Sequence, residues 1–249
     1  MKARPVVCVL AVASLITAAN AAEAGQPRAV VELFTSQGCS SCPPADKLLG
    51  ELAQDPSLIA LSLPVDYWDY LGWKDTLALH GHGMRQRAYA EARGDRSVYT
   101  PQVVVNGIVH ALGSDKKAIE NAIILSRAEA DPLSVPVTLT VADGKVTVSV
   151  PASEAMQGRA QIWLCPVTNQ IPVNVERGEN GGHKLTYYDV VRRWVKLGEW
   201  TGKAETFSMP LADVIKGIGG EVDRIAVLLQ KLPDGKPGLM LGAAEAKLH

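Results

Sequence analysis

The sequence is poor in cysteine and phenylalanine, and neither sign of charge is in excess. Its 249 residues include Cys 4 and Phe 2, with 25 Lys and Arg residues against 26 Asp and Glu residues. This cysteine content is too low for a scaffold built mainly from disulfide bonds. A formal net charge of -1 gives no reason to expect binding to nucleic acid or anionic lipid. The sequence has no internal repeat, and 47% hydrophobic residues exclude a mostly disordered chain.

Long hydrophobic runs are also missing. The run at residues 6–16 is well short of the roughly 20 residues that cross a bilayer. Lys2 and Arg4 precede it and small residues follow at 19–21, which is typical of a cleaved secretory signal. We therefore predict a signal peptide at residues 1–21 and a periplasmic or secreted protein. Cys8 lies too early in the run for a lipoprotein cleavage site, so no membrane anchor is expected after cleavage.

Removal of that segment leaves Cys39, Cys42 and Cys165. An odd number of cysteines in an exported protein means that at least one thiol is unpaired or bonds another molecule. Cys165 lies in an apolar segment, where a free cysteine usually behaves as a small hydrophobic residue.

The pattern of hydrophobic and turn residues divides the chain near Asp131-Pro132. Residues 22–132 are predicted to have the order β-α-β-α-β-β-α, a thioredoxin-like α/β layout. Asn106-Gly107 predicts a tight hairpin turn, and Ser114 is expected to cap the last helix. Strands are predicted at 29–34, 58–63, 102–105 and 108–110, and helices at 45–52, 74–92 and 115–128.

Residues 133–249 show the alternation of apolar and polar residues that is typical of antiparallel strands. A hairpin is predicted around Asp143-Gly144, and further strands at 160–165, 171–175 and 224–230. Residues 187–197 fit a strand or a helix, and residues 176–183 are predicted to be a loop. The prediction is an antiparallel β-sandwich-like domain, expected to add a docking surface.

The segment Cys39-Ser40-Ser41-Cys42 follows a predicted strand and precedes a helix that opens with Pro43. At a helix N-terminus, unpaired N–H groups and the helix dipole lower the pKa of a thiol and make it nucleophilic. We therefore expect Cys39 to attack a disulfide and Cys42 to resolve the mixed disulfide that forms.

Two other readings of the pair remain open. A metal site would need further ligands, from Cys165 or from a histidine such as His80, His82, His110 or His183. The set His80, His82 and Met84 has the donors that copper prefers, although such a cluster is usually incidental. A purely structural disulfide is also possible in an oxidising compartment, but so short a loop gives little entropic stabilisation. No metal site and no cofactor are assigned.

Residues 29–52 contain a predicted strand, the CxxC motif and a predicted helix. This segment resembles the redox-active N-terminal segment of the thioredoxin superfamily. Tyr99-Thr100-Pro101-Gln102 resembles its cis-proline loop. The resemblance implies that the Thr100-Pro101 bond is cis, that this loop lies beside the CxxC, and that Thr100 and Pro101 bind the substrate backbone.

A resemblance that covers nearly the whole mature chain is carried by four strings: ELFTSQGCSSCPPAD at 32–46, VDYWDYLGWKD at 65–75, RQ at 85–86 and VYTPQ at 98–102. They resemble the secreted bacterial family catalogued as domain of unknown function 1223. That resemblance implies a thioredoxin-like fold and an exported protein, and it adds no reaction.

Glu32 interrupts an apolar strand seven residues before Cys39, close to where thioredoxins keep a buried acid. We expect a buried carboxylate there to move protons for Cys42, the alternative being an acid that faces solvent or pairs with an arginine. Trp68 and Trp73 lie in an acidic, aromatic segment at 66–75. They are predicted to wall a substrate groove, or else to plug this loop into the core.

These residues together favour an exported thiol-disulfide oxidoreductase that acts through Cys39 and Cys42 on protein or small-thiol disulfides. A redox partner protein is a further expected partner. The alternatives are a periplasmic copper-handling protein and a non-catalytic thioredoxin-like binding module with a static disulfide. The direction of the redox chemistry depends on a reduction potential that Ser40-Ser41 does not determine.

Overall fold

The computed structural model describes residues 26–154, 156 and 158–248, so the predicted signal peptide and Cys8 lie outside the described residues. Strands and helices alternate up to residue 129, and strands dominate after it. The strands are β1 Ala29–Thr35, β2 Leu58–Pro64, β3 Gln102–Val105, β4 Val109–Leu112, β5 Thr138–Ala142, β6 Lys145–Val150, β7 Ala160–Asn174, β8 Lys184–Val191, β9 Val195–Trp200, β10 Glu205–Pro210, β11 Arg224–Lys231 and β12 Met240–Lys247. The helices are α1 Pro43–Leu52, α2 His80–Arg93, α3 Lys116–Glu129 and the short α4 Leu211–Val214.

Strand β1 is the centre of the first half. It pairs in parallel with β2 and antiparallel with β3, which forms a hairpin with β4. Every residue of β1 is buried because helices cover both faces of the sheet. Val31 and Leu33 pack on the face that α1 and α3 cover, whereas Val30 and Phe34 pack with Tyr89 of α2 on the other.

The sheet continues from the first half of the chain into the second. Strand β2 also pairs in parallel with β8 at Ser62 and Val190, which gives the order β12-β11-β7-β8-β2-β1-β3-β4, with β9 paired to β7. One hydrophobic cluster contains Phe34 as well as Val167 and Leu228. The parts of the chain before and after Asp131-Pro132 therefore share a sheet and a core, which the predicted division had not anticipated.

A second, three-stranded sheet of order β10-β6-β5 packs on one face of this large sheet. Val146 and Val148 of β6 share a hydrophobic cluster with Ile162 and Leu164 of β7. The predicted strands at 160–165 and 171–175 form the single strand β7, because its first half pairs with β9 and β11 and its second half with β8. The ambiguous residues 187–197 belong to β8 and β9.

Helix α3 begins differently from the prediction. Asp115 is the N-cap, and its side chain accepts a hydrogen bond from the Ala118 N–H at 3.0 Å. The predicted Ser114 cap is therefore wrong by one residue. Among the residues described, none of the helices is both long enough and apolar enough to cross a membrane.

Candidate functional site

Cys39 and Cys42 form a disulfide, with their Cα atoms 5.4 Å apart. The Cys39 N–H donates to Ser36 O and the Cys42 N–H donates to Cys39 O, so a tight turn joins β1 to α1. Helix α1 begins at Pro43 with Cys42 as its N-cap, so Cys42 and not Cys39 lies at the helix N-terminus. The two cysteines are 1% and 0% exposed, which makes this a buried disulfide.

The structure brings the predicted substrate-binding loop close to this turn. The Thr100–Pro101 peptide bond is cis, as the resemblance predicted. A Cβ placed on Gly113 would lie 3.1 Å from Pro101 Cβ and 3.3 Å from Ala45 Cβ, so Pro101 lies beside the first turn of α1.

Trp68 connects this loop to the turn that holds the disulfide. Its indole N–H donates to Thr100 Oγ1 at 2.8 Å. A Cβ placed on Gly38 would lie only 3.0 Å from Trp68 Cβ, so the residue before Cys39 packs directly on this tryptophan. Tyr70 stacks on Trp68 with ring centroids 6.3 Å apart and is 77% exposed. An aromatic surface therefore extends from the disulfide turn to solvent.

Trp73 has a different position from Trp68. Its indole N–H donates to Gln37 Oε1 at 2.8 Å, and the Gln37 N–H donates to the Asp75 carboxylate at 2.8 Å. Burial raises the pKa of Asp75 to about 6, although the N–H groups of Gln37 and Leu77 oppose that rise. Trp73 and Asp75 thus hold the residues before Cys39 in place. Of the two predicted roles, this position favours Trp73 as an anchor of its loop over Trp73 as a wall of a substrate groove.

Residues from the second half of the chain hydrogen-bond to the turn that holds the disulfide. The loop 175–183, which joins β7 to β8, places Asn180 so that its Nδ2 donates to Gln37 O and Cys39 O, both at 2.9 Å. The Ser40 N–H donates to Glu179 Oε2 at 3.1 Å. Asn180 is itself buried. Sequence reasoning identified this segment as a loop and missed its contact with the cysteines.

An Asn180→Ala variant is expected to be reduced by dithiothreitol about thirtyfold faster than the unchanged protein. The two lost hydrogen bonds are each worth about 1 kcal/mol net, and about 1.4 kcal/mol corresponds to tenfold in the opening equilibrium. Rates are measured by trapping free thiols with an alkylating reagent and mass spectrometry. Asn174→Ala, an exposed change in β7, is the matched control. Equal rates for all three proteins would show that Asn180 does not control access.

Glu32 does not lie with the cysteines. It is on the β1 face that α2 covers, opposite the face that α1 covers. Its carboxylate accepts hydrogen bonds from Arg85 Nε at 2.7 Å and from the Tyr89 hydroxyl at 2.6 Å. Arg85 Nη2 also donates to Gln230 Oε1 at 2.8 Å and so reaches β11 in the second half of the chain. The predicted role of Glu32 as the proton carrier for Cys42 is corrected to a structural ion pair.

A different buried acid lies on the face with the disulfide. Asp46 of α1 is 4% exposed, and neither of its carboxyl oxygens has a hydrogen-bond partner among the residues described. Burial raises the pKa of Asp46 well above its ordinary value, with a further contribution from Asp75. The sequence places the acid Asp46 between Ala45 and Leu48, which are buried residues of α1. This pattern indicated a buried carboxylate next to the CxxC motif, and Asp46 was not among the predicted site residues.

The residues considered for metal binding have other contacts. His80 pairs with Asp66 at 2.8 Å, and the buried His82 has its Nδ1 on Pro64 O and its ring against Trp194. Cys165 is a free, fully buried thiol. Within the described part of the chain, no group of three or more His, Cys, Asp or Glu side chains is arranged to hold a metal ion.

These features define an α/β protein with a buried CxxC disulfide beside a cis-proline loop. Its family is shown directly: residues 30–230 match the family described as Protein of unknown function (DUF1223), and the chain belongs to it. The chain is also similar to a protein from Agrobacterium tumefaciens whose X-ray crystal structure was solved by a structural genomics consortium. The two are 36% identical over 89% of this chain and 94% of that one, with a TM-score of 0.78. None of the curated proteins searched matches the chain.

Proposed function

We propose that this protein is an exported thiol-disulfide oxidoreductase of thioredoxin-like fold, acting through Cys39 and Cys42. The observation that carries the proposal is the position of the Cys39–Cys42 disulfide beside the cis Thr100–Pro101 bond, with Trp68 in contact with both segments. A disulfide kept only for stability has no need of a neighbouring loop and aromatic surface of this kind.

The arrangement of residues 29–129 supports the thioredoxin-like assignment. Strands β1 and β2 are parallel and joined through α1, and β3 and β4 add an antiparallel hairpin that α3 follows. The disulfide lies at the carboxyl end of β1, at the start of α1. In an open sheet with parallel strands, sites form at the carboxyl ends of those strands.

The proposed reaction needs no cofactor. A substrate thiolate attacks Cys39 Sγ, the Cys39–Cys42 bond breaks, and its electron pair goes to Cys42 Sγ. The product is a mixed disulfide between the substrate and Cys39, and the Cys42 thiolate becomes a thiol once it is protonated. A second substrate thiolate then displaces Cys39, so two thiols are oxidised to one disulfide and the CxxC pair is reduced. The same steps in reverse reduce a substrate disulfide.

Substrate contact is assigned to the loop of Thr100 and Pro101 and to the aromatic surface of Trp68 and Tyr70. Tyr70 supplies exposed aromatic surface. Trp68 holds the Tyr70 ring by stacking and the Thr100 hydroxyl by a hydrogen bond. An unfolded or extended protein segment fits this surface, because large planar rings bind varied side chains at low entropic cost.

Export supports the same chemistry. The N-terminal segment predicted to be a signal would deliver the chain to an oxidising compartment, where disulfides persist. The partners expected there are protein or small-thiol disulfides and a protein that restores the oxidation state of the CxxC pair.

A non-catalytic module with a static disulfide is the second candidate, and one observation favours it. Both cysteines are almost fully buried, and Asn180 of the loop 175–183 donates a hydrogen bond to the Cys39 carbonyl. The oxidoreductase therefore requires that this loop moves away from Cys39, whereas the static module does not.

Catalysed reduction of insulin disulfides by dithiothreitol tests the proposal. The unchanged protein is expected to shorten the onset of insulin precipitation, and Cys39→Ser is expected to reduce the effect to background. Cys165→Ala removes a thiol that lies outside the proposed site and is expected to keep the activity. Activity that survives in Cys39→Ser, or none in the unchanged protein, would contradict the proposed function.

A further inference from the structure

We infer that Asp46 is the group that exchanges a proton with Cys42 when the disulfide opens and closes. This inference rests on the proposed redox function. It assigns to a residue of α1 the role that the sequence had suggested for Glu32.

The helix geometry places Asp46 next to Cys42. Cys42 has helical backbone angles, and the Asp46 N–H donates to Cys42 O at 3.1 Å. Residues four apart on a helix lie on one face, with their Cβ atoms about 5–6 Å apart. The side chains of Cys42 and Asp46 are both buried, so the face of α1 that they share points into the protein.

The carboxyl group of Asp46 is unengaged, which is rare for a buried acid. None of the described residues hydrogen-bonds to either of its oxygens. The Thr35 hydroxyl lies close enough to oppose the rise in the pKa of Asp46, but among the residues described its oxygen has no hydrogen-bond partner within ordinary geometry. The buried Tyr187 hydroxyl also has no partner in the described part of the chain. Leaving a buried polar group unsatisfied costs about 1–3 kcal/mol, so a purely structural role gives no reason to keep an acid here.

The other acids close to the site are already occupied. Asp75 accepts the N–H groups of Gln37 and Leu77, and Glu32 is bound to Arg85 and Tyr89 on the other face of the sheet. The ionisable groups that face Asp46 from neighbouring elements are Asp75, in the segment between β2 and α2, and Tyr187 of β8. Burial raises the pKa of each of these three groups. Asp75, with a pKa of about 6, is mostly a carboxylate at neutral pH, and its charge further favours the protonated form of Asp46.

The proposed proton transfer between Asp46 and Cys42 has a donor and an acceptor in each direction of the reaction. In the oxidised protein Asp46 carries its proton. As a substrate thiolate attacks Cys39 Sγ and the disulfide bond breaks, the proton moves from the Asp46 carboxyl group to Cys42 Sγ. In the reverse direction the Asp46 carboxylate takes the proton from the Cys42 thiol as that sulfur attacks the mixed disulfide and releases the substrate.

The test is the pH dependence of disulfide reduction by dithiothreitol, with each rate divided by the thiolate fraction of the reagent. In the unchanged protein the corrected rate is expected to fall at high pH, where Asp46 has lost its proton. Asp46→Asn is expected to be about a hundredfold slower or more at neutral pH, with a flat profile, since one general acid contributes at least about a hundredfold. Asp55→Asn, an exposed change just after α1, is the matched control and should follow the unchanged protein.

A second readout separates a proton-exchange role from a structural one. In a Cys39→Ser background, the nuclear magnetic resonance chemical shift of Cys42 Cβ as a function of pH reports the titration of the buried Cys42 thiol, and adding Asp46→Asn is expected to shift that titration. Asp46→Asn should fold, because it removes an unsatisfied acid, and circular dichroism checks this. If Asp46→Asn folds and both its profile and the Cys42 titration match those of Asp55→Asn, the inference about Asp46 is wrong while the redox function stands. If the unchanged protein catalyses no insulin reduction, both fail.

Discussion

A Cys42→Ser variant is expected to accumulate a covalent complex with its substrate, joined through Cys39. In the proposed reaction Cys39 makes the bond to the substrate and Cys42 releases it. The release is fast because Cys42 is held beside Cys39, and such intramolecular reactions have effective concentrations of about 10⁵ M or more. Without Cys42, release depends on outside thiols and should slow by at least about a thousandfold. The complex is measured on non-reducing gels after mixing with reduced, unfolded protein in the presence of glutathione disulfide.

The controls for this prediction come from the same chain. Cys39→Ser should form no complex, since it lacks the sulfur that bonds the substrate in the proposed reaction. A Cys42→Ser/Cys165→Ala variant should form the complex to the same extent as Cys42→Ser, because Cys165 is buried in the core. A complex that forms through Cys42 in Cys39→Ser would reverse the assigned roles, and a complex that needs Cys165 would contradict the site.

An Arg85→Met variant is expected to lose about 3 kcal/mol or more of unfolding free energy, measured by urea denaturation at neutral pH. The change leaves the Glu32 carboxylate, which is 0% exposed, without its charged partner, and breaking a buried pair from one side costs about 3–5 kcal/mol. It also removes the hydrogen bond to Gln230 and with it a link between the two halves of the sheet.

The matched control is the exposed pair of Arg159 and Glu199, whose atoms lie 3.7 Å apart with Arg159 76% exposed. Arg159→Met should cost about 1 kcal/mol or less, as exposed ion pairs do. A Glu32→Leu/Arg85→Met double variant should be more stable than Arg85→Met alone, because no unpaired charge is left in the core. Equal costs for Arg85→Met and Arg159→Met would show that the Glu32–Arg85 pair does not hold the two halves together.

Local sequence signals predicted the local features of this fold. Asn106 and Gly107 both have positive φ angles, as do Asp143 and Gly144. Asp143-Gly144 forms a two-residue hairpin turn, whereas Asn106-Gly107 forms a three-residue hairpin turn together with Ile108. These dipeptides are informative because few other residues adopt a positive φ angle at low cost. The cis bond before Pro101 was implied by the resemblance of residues 99–102 to a cis-proline loop, and local composition alone would have predicted only a turn.

Features that depend on the packing of distant segments were not predicted. The Asn180 contacts with Gln37 and Cys39 span more than a hundred positions in sequence, and the segment around Asn180 has only the composition of a loop. The prediction that Glu32 lies on a buried strand is confirmed. The face of the sheet that Glu32 occupies is set by the alternation of side chains along that strand. Only the packing of α1 and α2 shows that this face is opposite the disulfide.

Titration of the Cys39–Cys42 pair in glutathione buffers of known potential tests the central claim most directly. The fraction of each redox state is measured by alkylation and mass spectrometry. The account predicts a reversible transition with a midpoint in the range of about -270 to -120 mV that redox-active CxxC proteins occupy. A pair that stays oxidised at potentials below about -300 mV would behave as a structural disulfide and would contradict the account.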